Sequence, residues 1–389
     1  MLEAIEGSAA IAKAVALCRP QVVSAYPITP QTHIVENLAR LIADGKLRAE
    51  MVSVESEFSA ASVVLGAAAS GSRAYTATSA QGLLLMTEVL YNIAGLRIPL
   101  VLTCANRAIS APVSAWNDQQ DSMSVRDAGW IQLYCASNQE AVDTTIQAFR
   151  IAERTELPVM VCVDGYILTH TLEPIDIPTE EQVDAFLPPY RFSRALDPQN
   201  PISIGNLVTP DYYPEARYAH HHAVLRAKHE IEAADRDWAR MSGRRSGGLL
   251  SVDGPDDARV AILAVGSVLG TLADARETYL ELPAKLIKLR SVRPFPVDAI
   301  RDACRGLSDL VVLDRALSLG SGGIIGAEVR AALCEESNPP RVHNFAAGLG
   351  GRDMPLEIYP RLLRAAEAPA PVRFEIIDVE LEKLPAADR

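Results

Sequence analysis

VVSAYPITPQTHIVENLARLIADGKLRAEMVSVESEFSAASVVLGAAASG, residues 22–71, decides the fold. The stretch reads as a short apolar strand at 22–26, a helix at 30–44, a second strand at 50–54 and an alanine-rich helix at about 57–70. Gly71 closes that last helix, since a residue without Cβ suits a helix C-terminus. Thr29 stands where an N-cap is expected, with Pro30 at the first helical position, where a missing N–H costs nothing. Short apolar strands alternating with helices imply a mostly parallel, doubly wound α/β sheet.

The alternation extends on both sides. Upstream, MLEAIEGSAAIAKAVALC reads as an amphipathic helix, with Ser8 opening its segment 8–18. Downstream come a strand at 73–78, a helix at 80–95 and the strand PLVLTCA at 99–105. A long polar stretch, RAISAPVSAWNDQQDSMSVRDAGW (107–130), precedes a helix at 138–155 and a strand at 158–164. From about 172 the character changes. Prolines cluster in LEPIDIPTE, FLPPYRF and LDPQNPISI, so much of 172–215 is expected to be extended loop. A charged helix covers about 216–241, and SGRRSGGLLSVDGPDD (242–257) reads as a linker. Alternation resumes at Val260 with VAILAVGSV, KLIKLRS, DLVVLDR and RVHNFAA as strands. Two domains are expected: residues 1–245, including the proline-rich extension, and a smaller α/β domain over 256–389.

Composition narrows the function classes. The chain has 389 residues, 49% apolar but only 5% aromatic, so its core is aliphatic. A formal net charge of −12 repels phosphate backbones and argues against nucleic-acid binding. The six cysteines include no CxxC pair and mostly lie in apolar runs, which disfavours disulfides and a zinc or iron–sulfur site built from them. The N-terminus lacks the basic start and long apolar run of a signal peptide, and no run reaches the ~18 apolar residues of a membrane span. A reduced, cytoplasmic protein is expected.

In open α/β sheets, ligands bind beyond the carboxyl ends of the strands. Three places there carry chemistry. In Tyr26-Pro27-Ile28-Thr29-Pro30, two prolines stiffen a turn and fix where Thr29 points; the plainer reading is that Thr29 only caps a helix. In Val54-Glu55-Ser56-Glu57-Phe58, a carboxylate at a helix start interacts well with the helix dipole. Glu57, however, is followed by FSAASVVLGAAASG, with no cation, and a carboxylate among small apolar residues suits proton exchange with a ligand nitrogen. In Ala105-Asn106-Arg107-Ala108, an arginine directly after a buried strand can clamp a carboxylate in bidentate fashion, where the alternative is a surface ion pair. Asp118 and Asp121 are read as loop-structuring, and His170 as a hydrogen-bonded structural histidine. His220, His221 and His222 diverge by ~100° each on a helix and are read as facing solvent.

These motifs occur in a familiar order. YPITP, the ESE pair, TSAQGLLLM (78–86), ANRAISAP (105–112), WNDQQDS (116–122), RDAGW (126–130), VDGY (163–166), RPFP (293–296), VLDR (312–315) and GLGGRD (348–353) together resemble the α subunit of 2-oxo acid:ferredoxin oxidoreductases, over nearly the whole chain. The resemblance implies a pyrimidine-binding domain of a thiamine diphosphate enzyme followed by a transketolase C-terminal-like α/β domain. It implies that Glu57 hydrogen-bonds the aminopyrimidine ring of thiamine, that Thr29 contacts substrate and cofactor, and that Arg107 pairs with the substrate carboxylate. The chain has VDG at 163–165 and 252–254 but no GDG, the family's diphosphate and metal motif. The resemblance therefore implies a β-type subunit carrying the diphosphate half with Mg2+, [4Fe-4S] clusters on partner subunits, γ-type and ferredoxin-like subunits, and no metal on this chain. It further implies coenzyme A as co-substrate and ferredoxin or another acceptor for the electrons. WND and GLGGRD resemble the multi-subunit pyruvate and 2-oxoisovalerate type. Pyruvate is the expected substrate. The alternatives are phenylglyoxylate, indolepyruvate or 2-oxoisovalerate, or a catalytically silent scaffold.

Overall fold

The structure is a computed structural model that describes residues 2–388. Its elements are β1 (Leu2–Glu6), α1 (Gly7–Leu17), β2 (Val22–Ala25), α2 (Thr32–Ala43), β3 (Glu50–Ser53), α3 (Glu57–Ala69), β4 (Ala74–Thr78), α4 (Ala80–Leu85), α5 (Thr87–Gly95), β5 (Val101–Asn106), α6 (Gln120–Ser124), β6 (Ile131–Tyr134), α7 (Asn138–Thr155), β7 (Val159–Asp164), β8 (Leu172–Asp176), α8 (Glu180–Phe186) and α9 (Tyr213–Ser242). There follow β9 (Leu250–Asp253), β10 (Val260–Ala264), α10 (Val268–Thr278), β11 (Lys285–Leu289), β12 (Ser291–Arg293), α11 (Val297–Ala303), β13 (Asp309–Asp314), β14 (Leu317–Ser318), β15 (Gly322–Gly323), α12 (Ile324–Leu333), β16 (Arg341–Ala346), α13 (Ile358–Ala365) and β17 (Glu375–Ile376). The chain divides into two compact units. One comprises residues up to Ser251 together with Leu289–Pro296, and the other Val252–Lys288 together with the residues from Val297 onward.

The first unit is built on a seven-stranded sheet in the order β12-β6-β7-β5-β4-β2-β3, parallel except for β12 against β6. Helices α1 and α2 pack together on one face beside α7, while α3 packs over β2 and β4 on the other. The chain passes from β2 outward to β3 and then jumps back across β2 to β4, so the strand order reverses between β2 and β4. That reversal is where helices leave to opposite faces and a crevice opens at the carboxyl edge. The core is aliphatic, as composition requires: Ile11, Val15, Ile34, Leu38, Val101, Val142, Ile146 and Val159 are buried together around Tyr75, Phe149 and Trp238. Burying each such side chain stabilises the fold by roughly 1.5–3 kcal/mol. The second unit holds a six-stranded sheet, β17-β16-β13-β10-β11-β9, with β10, β11, β13, β16 and β17 parallel.

Local competition moved several boundaries. The α2 helix starts at Thr32, and its N-cap is Gln31, so Thr29 caps nothing. The Thr29–Pro30 peptide is cis, and Gln31 N–H closes a turn onto the Ile28 carbonyl at 2.8 Å. The Gln31 amide donates to the Ala77 carbonyl of β4 at 2.5 Å, tying this turn to the sheet rather than to a helix. Residues Leu2–Glu6 are a strand and not part of the helix: β1 pairs antiparallel with β8, which takes up the backbone of a segment read as loop. The expected helix over 80–95 breaks into α4 and α5 at Met86. The stretch read as a linker is held firmly. Asp235 accepts the N–H groups of Ser246, Gly247 and Gly248, and Arg244 pairs with Asp143 and Asp176. The run KLIKLRS is two strands. β11 stays in the second sheet, while β12 pairs with β6, joining RPFP to RDAGW through the Arg293–Asp127 ion pair at 3.2 Å.

Candidate functional site

All the chemistry-bearing motifs of the first unit lie at one edge. YPITP follows β2, the ESE pair follows β3, TSAQG follows β4, ANRA follows β5 and VDGY follows β7. Since these five strands are parallel, their carboxyl ends bring segments far apart in sequence onto one rim.

Glu57 opens α3, yet it does not cap it. Ser56 does so, its hydroxyl accepting the Ser59 N–H at 3.2 Å. Glu55 faces solvent and accepts from the Ser59 hydroxyl, which lowers its pKa. Relieved of capping, Glu57 turns inward and is 7% exposed. No described group gives its carboxylate a hydrogen bond or an ion pair. It packs against α4 at Gly82, where a Cβ would stand 2.7 Å from Glu57 Oε1 and 2.5 Å from Thr78 Oγ1. Only glycine allows that approach. Thr78 Oγ1, Gln31 Oε1, Gln81 Nε2 and both amide atoms of Asn117 are also buried without partners, and all belong to segments of this edge. A buried polar atom left unpaired costs about 1–3 kcal/mol, so a cluster of them marks a surface built to receive a polar ligand.

Arg107 leaves β5 beside the YPITP turn. Its Nη1 donates to the Thr29 carbonyl at 2.8 Å and its Nε to the Ser114 carbonyl at 2.9 Å. No described carboxylate pairs with its side chain, and Nη2 makes no hydrogen bond among the described residues, so it is open to an anion. Thr29 itself is exposed, and Arg107 meets its backbone. Gly165 closes the arrangement: a Cβ there would lie 2.4 Å from the Asn106 carbonyl oxygen and 2.5 Å from Pro30.

Asp121 joins the two halves. It is fully buried and accepts the N–H groups of Ala80 (2.9 Å), Arg107 (3.0 Å) and Ser122 (2.8 Å) and the Asn106 amide (2.8 Å). Burial pushes its pKa up to about 6 against those bonds. One carboxyl thus fixes the start of α4, which bears Gly82, relative to the end of β5, which bears Arg107. Asp118 accepts the Gln120 N–H at 3.0 Å within its own loop. His170 bonds to the Thr169 hydroxyl. His220 is buried and bonds to the Gly129 carbonyl at 3.2 Å, so it does not face solvent as the helix pattern suggests. Thr78, Gln31, Gln81 and Asn117 escaped the sequence reading. Their signal is weak: a small or amide residue just beyond a buried strand.

Comparison with known families settles the relationship. Residues 13–236 match the family described as "Pyruvate flavodoxin/ferredoxin oxidoreductase, thiamine diP-bdg", and residues 258–358 match "Pyruvate:ferredoxin oxidoreductase core domain II". The chain belongs to this oxidoreductase family. It is 46% identical to "Pyruvate synthase subunit PorA" of Methanothermobacter thermautotrophicus, over 95% of this chain and 96% of that one. It is 42% identical to "Ketoisovalerate oxidoreductase subunit VorA" of Pyrococcus abyssi, over 90% and 89% respectively. A solved 2-oxoglutarate:ferredoxin oxidoreductase from Magnetococcus marinus shares the fold, with a TM-score of 0.71 at 21% identity. That match covers 93% of this chain, which spans about two thirds of the solved one, 65%. As a family member the chain is the α-type subunit of a 2-oxo acid:ferredoxin oxidoreductase. It has a thiamine diphosphate-binding unit followed by a transketolase C-terminal-like α/β unit. No described helix is long and apolar enough to cross a membrane.

Proposed function

We propose that this chain supplies the pyrimidine side of a thiamine diphosphate site for the oxidative decarboxylation of pyruvate by a cytoplasmic heteromeric complex. The observation that carries the proposal is Glu57, a buried carboxylate with no protein partner, held against Gly82 at the strand-order reversal. The donor set fits the cofactor. A carboxylate is needed to receive a ring N–H, and Thr78, Gln81 and Asn117 offer buried polar atoms beside the same rim. Thiamine diphosphate, when bound, supplies the electron sink that lets a 2-oxo acid lose CO2.

The chain's own residues do the rest. Glu57 accepts a hydrogen bond from the pyrimidine ring, its carboxylate held in place by the close packing of α4 at Gly82. Arg107 receives the substrate carboxylate on Nη2, with its guanidinium plane fixed by the Thr29 and Ser114 carbonyls. Thr29 presents its hydroxyl from a turn pinned to β4 through Gln31, toward both substrate and cofactor. Exposed apolar residues, among them Tyr26, Phe58, Leu85, Val113 and Trp116, belong to the segments around this edge and suit a partner that excludes water. In this reading a β-type subunit brings the diphosphate site with Mg2+. Partner subunits, γ-type and ferredoxin-like among them, carry [4Fe-4S] clusters that take the two electrons toward ferredoxin or another acceptor. Coenzyme A takes the acyl group as acyl-CoA.

The test is a reconstituted complex assayed anaerobically with a viologen acceptor, coenzyme A and a panel of 2-oxo acids. Pyruvate is expected to lead, with 2-oxoisovalerate, indolepyruvate and phenylglyoxylate behind. A branched-chain or aromatic preference would reassign the substrate, and no turnover with any acid would favour a scaffold role. Glu57→Gln is expected to assemble normally and lose turnover. Near-normal turnover in that variant removes Glu57 from the proposed role.

A further inference from the structure

We infer that Glu6, His33 and His170 form a binding site for a divalent transition-metal ion of the zinc class. The three residues come from separate segments: the junction of β1 and α1, the first turn of α2, and the turn after β7. One donor atom from each lies within 4.8 Å of the other two. The His33 and His170 rings face each other at 4.6 Å, and His33 Nδ1 is 2.7 Å from Glu6 Oε1.

The surroundings favour a cation. Glu6 occupies the N-cap position of α1 without capping it, its carboxylate turned to His33 instead. His170 bonds through Nδ1 to the Thr169 hydroxyl at 2.7 Å, which leaves Nε2 as its ligand atom. Thr169 is buried and also accepts the Tyr166 N–H at 2.8 Å, so its hydroxyl is fixed in place. An outer hydrogen bond that orients a ring in this way is the usual companion of a metal-bound histidine. The Tyr166 ring packs against His170, with their centroids 4.7 Å apart. The Glu6 and His33 side chains are 26% and 44% exposed, so an ion has a path in.

Two imidazoles and one carboxylate with a side open to solvent suit zinc or a neighbouring first-row ion carrying water in the remaining position. The ion would staple the N-terminal strand to the turn after β7 and to the helix that follows YPITP. No spacing motif announces it, because the ligands are 27 and 137 residues apart (33 − 6 and 170 − 33).

The test uses the full chain, and separately the assembled complex, dialysed against zinc and analysed for bound zinc by elemental mass spectrometry, which distinguishes it from cluster iron. Wild type is expected to hold one zinc per chain. His33→Ala, His170→Ala and Glu6→Gln are expected to lose it, and Thr169→Val to bind about 10–100-fold more weakly, the range for an outer-shell partner. In chelator, the variants and wild type are expected to unfold at similar temperatures, while zinc raises only the wild-type midpoint. Zinc retained equally by the His33→Ala/His170→Ala double variant, or absent from wild type, would overturn the assignment. Because the readout is bound metal, the result is independent of turnover.

Discussion

A carboxylate that is buried and unpartnered is held in place by what surrounds it. Around Glu57 the decisive neighbour has no side chain at all. Gly82 allows α4 to close on Glu57 Oε1 and Thr78 Oγ1, and Gly82→Ala puts a carbon within 2.5–2.7 Å of both. Neither contact can be relieved without moving the Glu57 carboxylate or the end of β4. Gly82→Ala is therefore expected to cut turnover by 10-fold to 100-fold, on the scale of misplacing a reacting group by about 1 Å. Steady-state kinetics with varied thiamine diphosphate checks this, and the loss should be mainly in kcat. Arg107 makes a contrasting prediction. If Arg107 receives the substrate carboxylate as proposed, Arg107→Ala should weaken 2-oxo acid affinity by roughly 2–5 kcal/mol, the cost of truncating one partner of a desolvated charge pair. An unchanged KM across the substrate panel would exclude it from the site. Glu57, Thr29 and Arg107 could be singled out from the sequence because each sits in a short motif after a strand. Gly82 could not, since one of the two side chains that a Cβ there would meet, Glu57, lies 25 positions earlier (82 − 57).

At the level of elements, the fold was legible wherever apolar runs alternate, as over 138–155, where α7 has the expected ends. It was illegible where a long-range partner decides. The run KLIKLRS (285–291) reads as one strand, but Arg290 splits it. Arg290 is fully buried and donates to the Gly248 carbonyl (2.9 Å), the Thr144 hydroxyl (3.0 Å) and the Gln147 amide oxygen (2.9 Å), with Glu140 at 3.6 Å. All four partners lie in the first unit, so the guanidinium holds Leu289–Pro296 there and directs β12 onto β6. Truncating Arg290 takes the donor from the Gly248 carbonyl and the Gln147 amide oxygen and removes the cation beside the Glu140 carboxylate. Arg290→Leu is thus expected to cost about 3–5 kcal/mol, the range for breaking a buried ion pair from one side. Urea unfolding followed by circular dichroism measures it. A loss under about 1 kcal/mol would mean that β12 is held by its ladder alone. RPFP and RDAGW, read in the sequence as family signatures, are joined here by the Arg293–Asp127 pair.

Across the whole molecule, two buried carboxyls at structural junctions, one in each unit, titrate alike. Asp121 in the first unit and Asp314 in the second are both pushed up to about 6 by burial, from an ordinary value of 3.8. Asp314 plays in its unit the part Asp121 plays in the other. It accepts the Ile325 and Gly326 N–H groups at 2.7 and 3.1 Å and the Asn344 amide at 2.7 Å, fixing α12 to the end of β13. The sign of the pH effect follows from proton binding. Between pH 3.8 and about 6 the folded chain holds these two protons and the unfolded chain has released them. Their stabilisation is therefore complete below about pH 4 and is lost as pH rises through 6. Each contributes about 3 kcal/mol at most, from about two pKa units at 1.36 kcal/mol each. Glu153, also raised by burial, adds to the same slope. Carboxylates held low, such as Asp237 beside Arg150, act only at more acid pH. His170 and His220, both lowered, work in the opposite direction just below pH 6.5. The clean measurement is therefore a difference. Denaturant unfolding of wild type, Asp121→Asn and Asp314→Asn across pH 4–7 should show each variant less stable at pH 4 but with a shallower decline toward pH 6. Because the units are separately compact, each substitution should flatten the transition of its own unit, and two resolved transitions would assign the slopes directly. Parallel pH curves for wild type and both variants would show that neither carboxyl holds its proton in the folded chain. The four hydrogen bonds to Asp121 would then be made to a carboxylate throughout the physiological range.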